Sequence, residues 1–198
     1  MTLRARLEAA VARGAGEDHV GDLQVDGGER LAEATPPRPA AVLVGVVDRP
    51  RPTLLLTVRT RTLRAHAGQI AFPGGRIDPE DAGPVAAALR EAWEEVALPP
   101  AKVDVVGELG RYRTVTGFDV VPVVAVLPPD LPLRRREAEV AELFEAALDH
   151  MVDPANQHLR EVDWQGARRR YWEIAWEGRV IWGATAAMIV NLGRRLRP

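Results

Sequence analysis

Glu91, Glu94 and Glu95 stand at i, i+3 and i+4, a spacing that projects side chains from one face of a helix. Three carboxylates so close repel one another unless a cation holds them. Hard divalent ions such as Mg²⁺ or Mn²⁺ prefer oxygen ligands. Such an ion can clamp phosphate oxygens and neutralise the charge that develops on them. Ahead of these residues, Gly74-Gly75 permits close backbone approach to a ligand or ion. Arg90 can brace a carboxylate or the loop. Each feature alone has a plainer reading: a solvated helix face, an ordinary turn, a surface ion-pair partner. Their joint spacing shifts the balance towards a site that holds a divalent cation.

A helix over residues 85–96 must carry these carboxylates. Pro84 fits its first turn, where a missing N–H costs nothing. Val85, Leu89, Ala92 and Val96 fall near one face and can pack on a sheet. Residues 41–47 and 53–59 read as β-strands. The turn chemistry of residues 48–52 between them makes a hairpin. Residues 102–109 and 119–127 read as further strands, and residues 137–148 as a second helix. Residues 171–176 and 180–182 suggest another hairpin around Glu177-Gly178, and residues 184–196 a closing helix. Leu3, Leu7 and Val11 give residues 2–13 an amphipathic helical stripe. Residues 14–39 form an irregular connector rich in Gly, Pro and acidic residues. The expected division is therefore an N-terminal helix and connector over 1–39 and a main domain over 40–198. Mixed strands and helices argue for α/β, one sheet covered by helices.

The bulk composition excludes more than it assigns. Hydrophobic residues make up 46% of 198 and charged residues 27%, ordinary for a globular domain. A formal charge of −2 gives no global attraction to nucleic acid or an anionic membrane. Any anionic ligand must meet a local cluster of positive charge. The absence of cysteine rules out disulfides and thiolate ligands. No segment reads as a membrane span or signal peptide, so the expected location is the cytoplasm.

The segment from Gly75 through Arg90-Glu91, Glu94-Glu95 and Leu98 resembles the Nudix box. In that box a Gly is followed by five residues, Glu, seven residues, Arg-Glu, an apolar residue, any residue, Glu-Glu, any residue, Gly and an apolar residue. Two positions depart from it. The early acidic residue is Asp81, nine positions before Arg90, and Ala97 replaces the helix-ending Gly. Ala tolerates the positive φ of such a position poorly, although Leu98-Pro99-Pro100 still stops the helix. The stretches 55–59 and 63–75, with Leu63-Arg64-Ala65-His66-Ala67-Gly68-Gln69, are similar to the signature of the coenzyme A pyrophosphatase branch. That branch has an extra residue in its box and Ala after Arg-Glu, matching Asp81 and Ala92. Glu139-Val140 and Ile181-Trp182-Gly183-Ala184-Thr185-Ala186 extend the similarity over residues 40–192.

The resemblance implies a Nudix-type α/β/α sandwich with a mixed sheet. It also implies metal-dependent cleavage of the pyrophosphate in CoA or a CoA derivative, giving 3′,5′-ADP and 4′-phosphopantetheine. The alternatives are another nucleoside diphosphate derivative, such as ADP-ribose, a dinucleotide or a nucleoside triphosphate, and a Nudix-fold ligand sensor without turnover. Expected metal ligands are Glu91, Glu94, Glu95 and the Gly75 carbonyl, holding Mg²⁺ or Mn²⁺. Glu91, Glu94, Arg90 and Glu139 make the expected catalytic set. Glu91 and Glu139 are the candidate bases, and Glu139 reads equally well as a helix-start residue complementing the dipole. Arg90 orients Glu91 or the loop. Arg59, Arg61, Arg64, His66 and Gln69 are the substrate-binding candidates, since arginines suit bidentate phosphate contacts. His66 reads more readily as a structural hydrogen-bonding residue, and Gln69 as readily as loop packing. Arg134-Arg135-Arg136 reads as a solvated loop before a ligand contact, and Trp172, Trp176 and Trp182 as packing residues. The partner is a small molecule, not nucleic acid or membrane, and the N-terminal arm could support a homodimer.

Overall fold

Strand β2 (Arg38–Val47) is apolar along most of its length because helices cover both of its faces. In the computed structural model, which describes residues 1–13, 20–21, 36–61, 67–164 and 167–197, β2 is central to a nine-stranded mixed sheet. It pairs in parallel with β8 (Phe118–Leu127), from Arg38 opposite Phe118 to Val47 opposite Leu127. β3 (Thr53–Arg59) pairs antiparallel with β2 only at Val46–Leu54 and Val47–Thr53. The expected hairpin is therefore short. Beyond it the strands part, and β5 (Gly74–Arg76) takes over the free edge of β2. The sheet is completed by β1 (Val20–Gly21), β4 (Ile70–Ala71), β6 (Asp104–Glu108), β7 (Tyr112–Arg113) and β9 (Val140–Ala147).

Alternation along the strands sorts the core into two layers. On one face, Ala41, Leu43, Leu55, Val121, Val123 and Ala125 pack against Ala87, Ala88, Ala92 and Val96 of helix α2 (Pro84–Val96). The small alanines let α2 lie close on the sheet, with Pro84 in its first turn. On the other face, Val44, Val46, Leu54, Leu56 and Val124 meet α1 (Leu3–Ala12) and α4 (Gly183–Leu196). Leu3, Leu7 and Ala10 of α1 are buried there, and the Thr2 hydroxyl caps the helix by accepting the Ala5 N–H at 3.2 Å. The result is the expected α/β/α sandwich with a mixed sheet.

Residues 137–148 do not form a helix. They are a turn followed by β9, with a short helix α3 (Leu148–Val152) after it. Ala, Glu and Leu favour a helix intrinsically. The outer edge of β3, however, requires a hydrogen-bonding partner, and β9 supplies it from Thr53–Ala147 to Arg59–Val140. A separate antiparallel sheet follows, of β10 (Gln157–Trp164), β11 (Ala167–Trp176) and β12 (Arg179–Trp182). Positive φ at Glu177 (46°) and Gly178 (75°) makes the tight turn between β11 and β12. Among the described residues, no helix is long and apolar enough to cross a membrane.

Candidate active site

Pairing of β5 with β2 presses the glycine loop against helix α2. Gly75 lies opposite Ala41 on the face that α2 covers. A Cβ at Gly75 would stand 2.5 Å from Glu91 Oε1, so only glycine lets the backbone meet this carboxylate. Gly74 has φ 154° and donates its N–H to Glu95 Oε2 at 3.2 Å. The loop is thus built around two carboxylates of α2.

The three glutamates occupy different surroundings. Glu95 is buried at 3% exposure, with the Arg59 guanidinium 3.6 Å from its Oε1. Glu91 is partly buried, and Glu94 is exposed. Arg90 accounts for part of this divergence. Its Nη1 donates to Glu91 Oε1 at 3.1 Å and to Glu94 Oε2 at 3.4 Å. Its Nε and Nη2 bind Asp81 at 3.0 and 2.9 Å, and Nη2 also reaches the Arg76 carbonyl at 3.0 Å. Among the described residues, no three acidic or histidine side chains converge as a ready-made metal cluster.

Electrostatics set Glu91 and Glu95 apart from Asp81. Burial pushes the Glu95 carboxyl up to about 7, against the pull of the Gly74 N–H and Arg59. Burial also raises Glu91, offset by Arg90, and the charge of Glu139 raises both. Asp81 is lowered, first by its hydrogen bonds from Arg90. Two desolvated carboxylates beside a glycine backbone are a donor set suited to a hard divalent cation. Protonation is the costlier alternative as pH rises.

Glu139 reaches this region from the turn before β9. The Thr60 N–H donates to the Glu139 carbonyl at 2.9 Å, and the Thr60 hydroxyl to the Ala138 carbonyl at 3.1 Å. These bonds latch the turn to the end of β3. The Glu139 carboxylate lies 3.5 Å from Arg136 Nη1. The Arg136 N–H in turn donates to the Glu95 carbonyl at 2.8 Å. Thr60 and the backbone of Arg136 were not legible as site elements, because their contacts join segments far apart in sequence.

The substrate-binding candidates separate. Arg59 faces Glu95, and its buried Nε has no hydrogen-bond partner among the described residues. Its backbone N–H donates to the Gln69 carbonyl at 2.9 Å. That contact places Gln69 beside the strand end, while Arg61 is exposed. Arg64 and His66 lie outside the described residues.

Comparison with known proteins gives the lineage. The NUDIX domain family matches residues 36–168. An uncharacterised Nudix hydrolase NudL of Cronobacter sakazakii is 50% identical over 159 residues, covering 80% of this chain and 83% of that protein. The NudL of Escherichia coli K12 is 47% identical over the same length and shares of each chain. Among solved structures, a Nudix hydrolase from M. smegmatis, RenU, is similar with TM-score 0.49 and 25% identity, over 57% of this chain and 72% of that one. With a family match over most of the chain and relatives this similar, the protein belongs to the Nudix family of pyrophosphohydrolases.

Proposed function

We propose that this Nudix hydrolase cleaves the pyrophosphate of coenzyme A or a CoA derivative, releasing 3′,5′-ADP and 4′-phosphopantetheine or its acyl form. The observation that carries the reading is Arg59, whose guanidinium stands 3.6 Å from Glu95 with a buried Nε that has no partner among the described residues. It sets the start of the segment that resembles the CoA branch directly against the acidic helix. An arginine so placed can take a phosphate oxygen in a substrate that carries several phosphate charges.

Nudix hydrolases work with divalent cations, here Mg²⁺ or Mn²⁺. Glu91, Glu95 and the Gly75 carbonyl would hold the ion, with Glu94 brought in from its contact to Arg90. When bound, the cation supplies Lewis acidity and charge neutralisation at the pyrophosphate. The protein's own residues do the rest. Arg90 fixes Glu91 and joins the loop to the helix. Arg59 holds and orients a phosphate. Glu139 takes the proton of the attacking water. Glu91 is already committed to Arg90, and Glu95 to the Gly74 N–H. Among the described residues, the Glu139 carboxylate has only the Arg136 ion pair at 3.5 Å.

The deciding experiment incubates purified protein with CoA and Mg²⁺, then Mn²⁺, and identifies products by mass spectrometry. ADP-ribose, NADH, diadenosine polyphosphates and dNTPs run in parallel. Metal-dependent release of 3′,5′-ADP and 4′-phosphopantetheine, faster than any parallel hydrolysis, supports the reading. Turnover of another compound without CoA cleavage removes the substrate assignment.

A further inference from the structure

Residues 131–136 run without regular structure beside β9 and dock on the end of α2. The Arg134 N–H donates to the Val96 carbonyl at 3.0 Å, and the Arg136 N–H to the Glu95 carbonyl at 2.8 Å. Both bonds satisfy carbonyls of the last helical turn. The backbone of this segment is therefore fixed to the same turn that carries Glu95. Between the segment and β9 lies an open cleft of about 580 Å³, lined by Leu133, Arg134, Arg135, Ala141, Glu142 and Leu143.

The charged groups of this cleft are unequally occupied. Arg135 donates to the Ala141 carbonyl and, at 3.2 Å, to Glu137. Glu142 is held by Arg179, and the neighbouring Arg136 pairs with Glu139. Arg134 is exposed and has no side-chain partner among the described residues. A guanidinium without a side-chain partner among the described residues thus stands at a cleft that Leu133, Ala141 and Leu143 line together with the already paired Arg135 and Glu142. That combination matches a ligand fragment with a flat apolar body and an attached anion.

We propose that this cleft receives the 3′-phosphoadenosine end of the substrate, with Arg134 on the 3′-phosphate and the base against Leu133 and Leu143. The assignment rests on the CoA reading above. CoA offers the cleft two ends. The pantetheine arm carries no anion for Arg134, whereas the ribose 3′-phosphate is a dianion beside an apolar ring. Arg134 is then the residue that distinguishes CoA from dephospho-CoA. The pyrophosphate itself is left to Arg59 and the acidic helix.

Two ratios test this. The first is the affinity of the protein for 3′,5′-ADP relative to 5′-AMP, measured by titration calorimetry with Mg²⁺. The wild type should favour 3′,5′-ADP by about tenfold or more. Arg134→Ala should bring the ratio to about one, and Arg134→Lys should restore part of it. The second is kcat/KM for CoA relative to dephospho-CoA, which should collapse in the same way. Equal affinities in the wild type overturn the proposal, as does a ratio that Arg134→Ala does not move. Hydrolysis of CoA with an unmoved ratio removes the cleft assignment and leaves the CoA reading standing. Hydrolysis of neither CoA nor dephospho-CoA removes the reading itself and the assignment with it. Thermal melts of both variants check that the fold is retained.

Discussion

Arg90 grips Asp81 through two parallel hydrogen bonds, Nε to Oδ1 at 3.0 Å and Nη2 to Oδ2 at 2.9 Å. The same guanidinium reaches the Arg76 carbonyl and Glu91. One side chain therefore ties the glycine loop, the turn that precedes α2 and a candidate metal ligand into a single unit. Asp81 also accepts the Asp78 N–H at 2.8 Å, so its carboxylate is braced from both sides.

Asp81→Asn keeps the size of the side chain but replaces one acceptor with a donor that faces Arg90. We expect a loss of about 1–2 kcal/mol of stability and a fall of about tenfold or more in kcat/KM as the loop and Glu91 loosen. Arg90→Lys should do the same, because an ammonium cannot span both oxygens of Asp81. Urea denaturation and initial rates measure the two effects. Full activity in Asp81→Asn would remove the clamp from the mechanism.

Glu95 sets a pH dependence. Its folded carboxyl is raised to about 7 from the ordinary 4.5, chiefly by burial. Between these values the folded protein holds a proton that the unfolded chain has released. In chelator-treated protein, this stabilising contribution is complete below about pH 4.5 and is lost as pH rises to about 7. Its size is at most ~3 kcal/mol. Glu91 is raised too and adds in the same direction. Glu95→Gln should flatten the slope of stability against pH. Mn²⁺ requires the ionised carboxylate, so its uptake below pH 7 should release protons. An unchanged slope in Glu95→Gln would show that the carboxyl titrates elsewhere.

Glu139→Gln separates a base from a ligand. Loss of the base should lower kcat about 100-fold. Mn²⁺ affinity should stay close to wild type. A large fall in Mn²⁺ affinity instead would place Glu139 among the residues that hold the ion and return the role of base to Glu91.

The legible parts of the fold and site were those governed by local chemistry. The helix over 85–96 could be read because its apolar stripe, Pro84 and acidic face all agree with one period. The interval from Asp81 to Arg90 marked Asp81 as the early acidic position, but its pairing with the arginine emerged only from the fold, since Arg90 was expected to orient Glu91 or the loop. Residues 140–147 misled because their helix propensity is local, whereas the demand for a strand comes from the open edge of β3. β10 was missed for a related reason. Its sequence is polar, and cross-strand ion pairs help to hold it, Arg160 to Glu173 at 3.1 Å and Arg170 to Glu161 at 2.8 Å. Helical spacing alone also could not foresee that Glu94 would lie on the solvent side of Arg90 while Glu95 turned inward. Burial and rotamers decide that, and both depend on strands distant in sequence.

Ala97 ends α2 in the left-handed region, at φ 53° and ψ 35°. Its N–H donates to the Trp93 carbonyl at 2.9 Å, and the Leu98 N–H to the Ala92 carbonyl at 3.3 Å. These bonds hold a conformation that costs an alanine about 1 kcal/mol. Ala97→Gly removes the Cβ penalty but adds freedom to the unfolded chain. The two effects oppose each other, and the strain is the larger where φ is positive. We expect a net gain of about 0.5–1 kcal/mol, read as a higher urea midpoint with an unchanged m-value. Because Arg134 and Arg136 dock on the carbonyls of Val96 and Glu95 just before this residue, kcat should change little if the turn keeps its shape. A lower midpoint would mean that packing of the Ala97 methyl outweighs the strain.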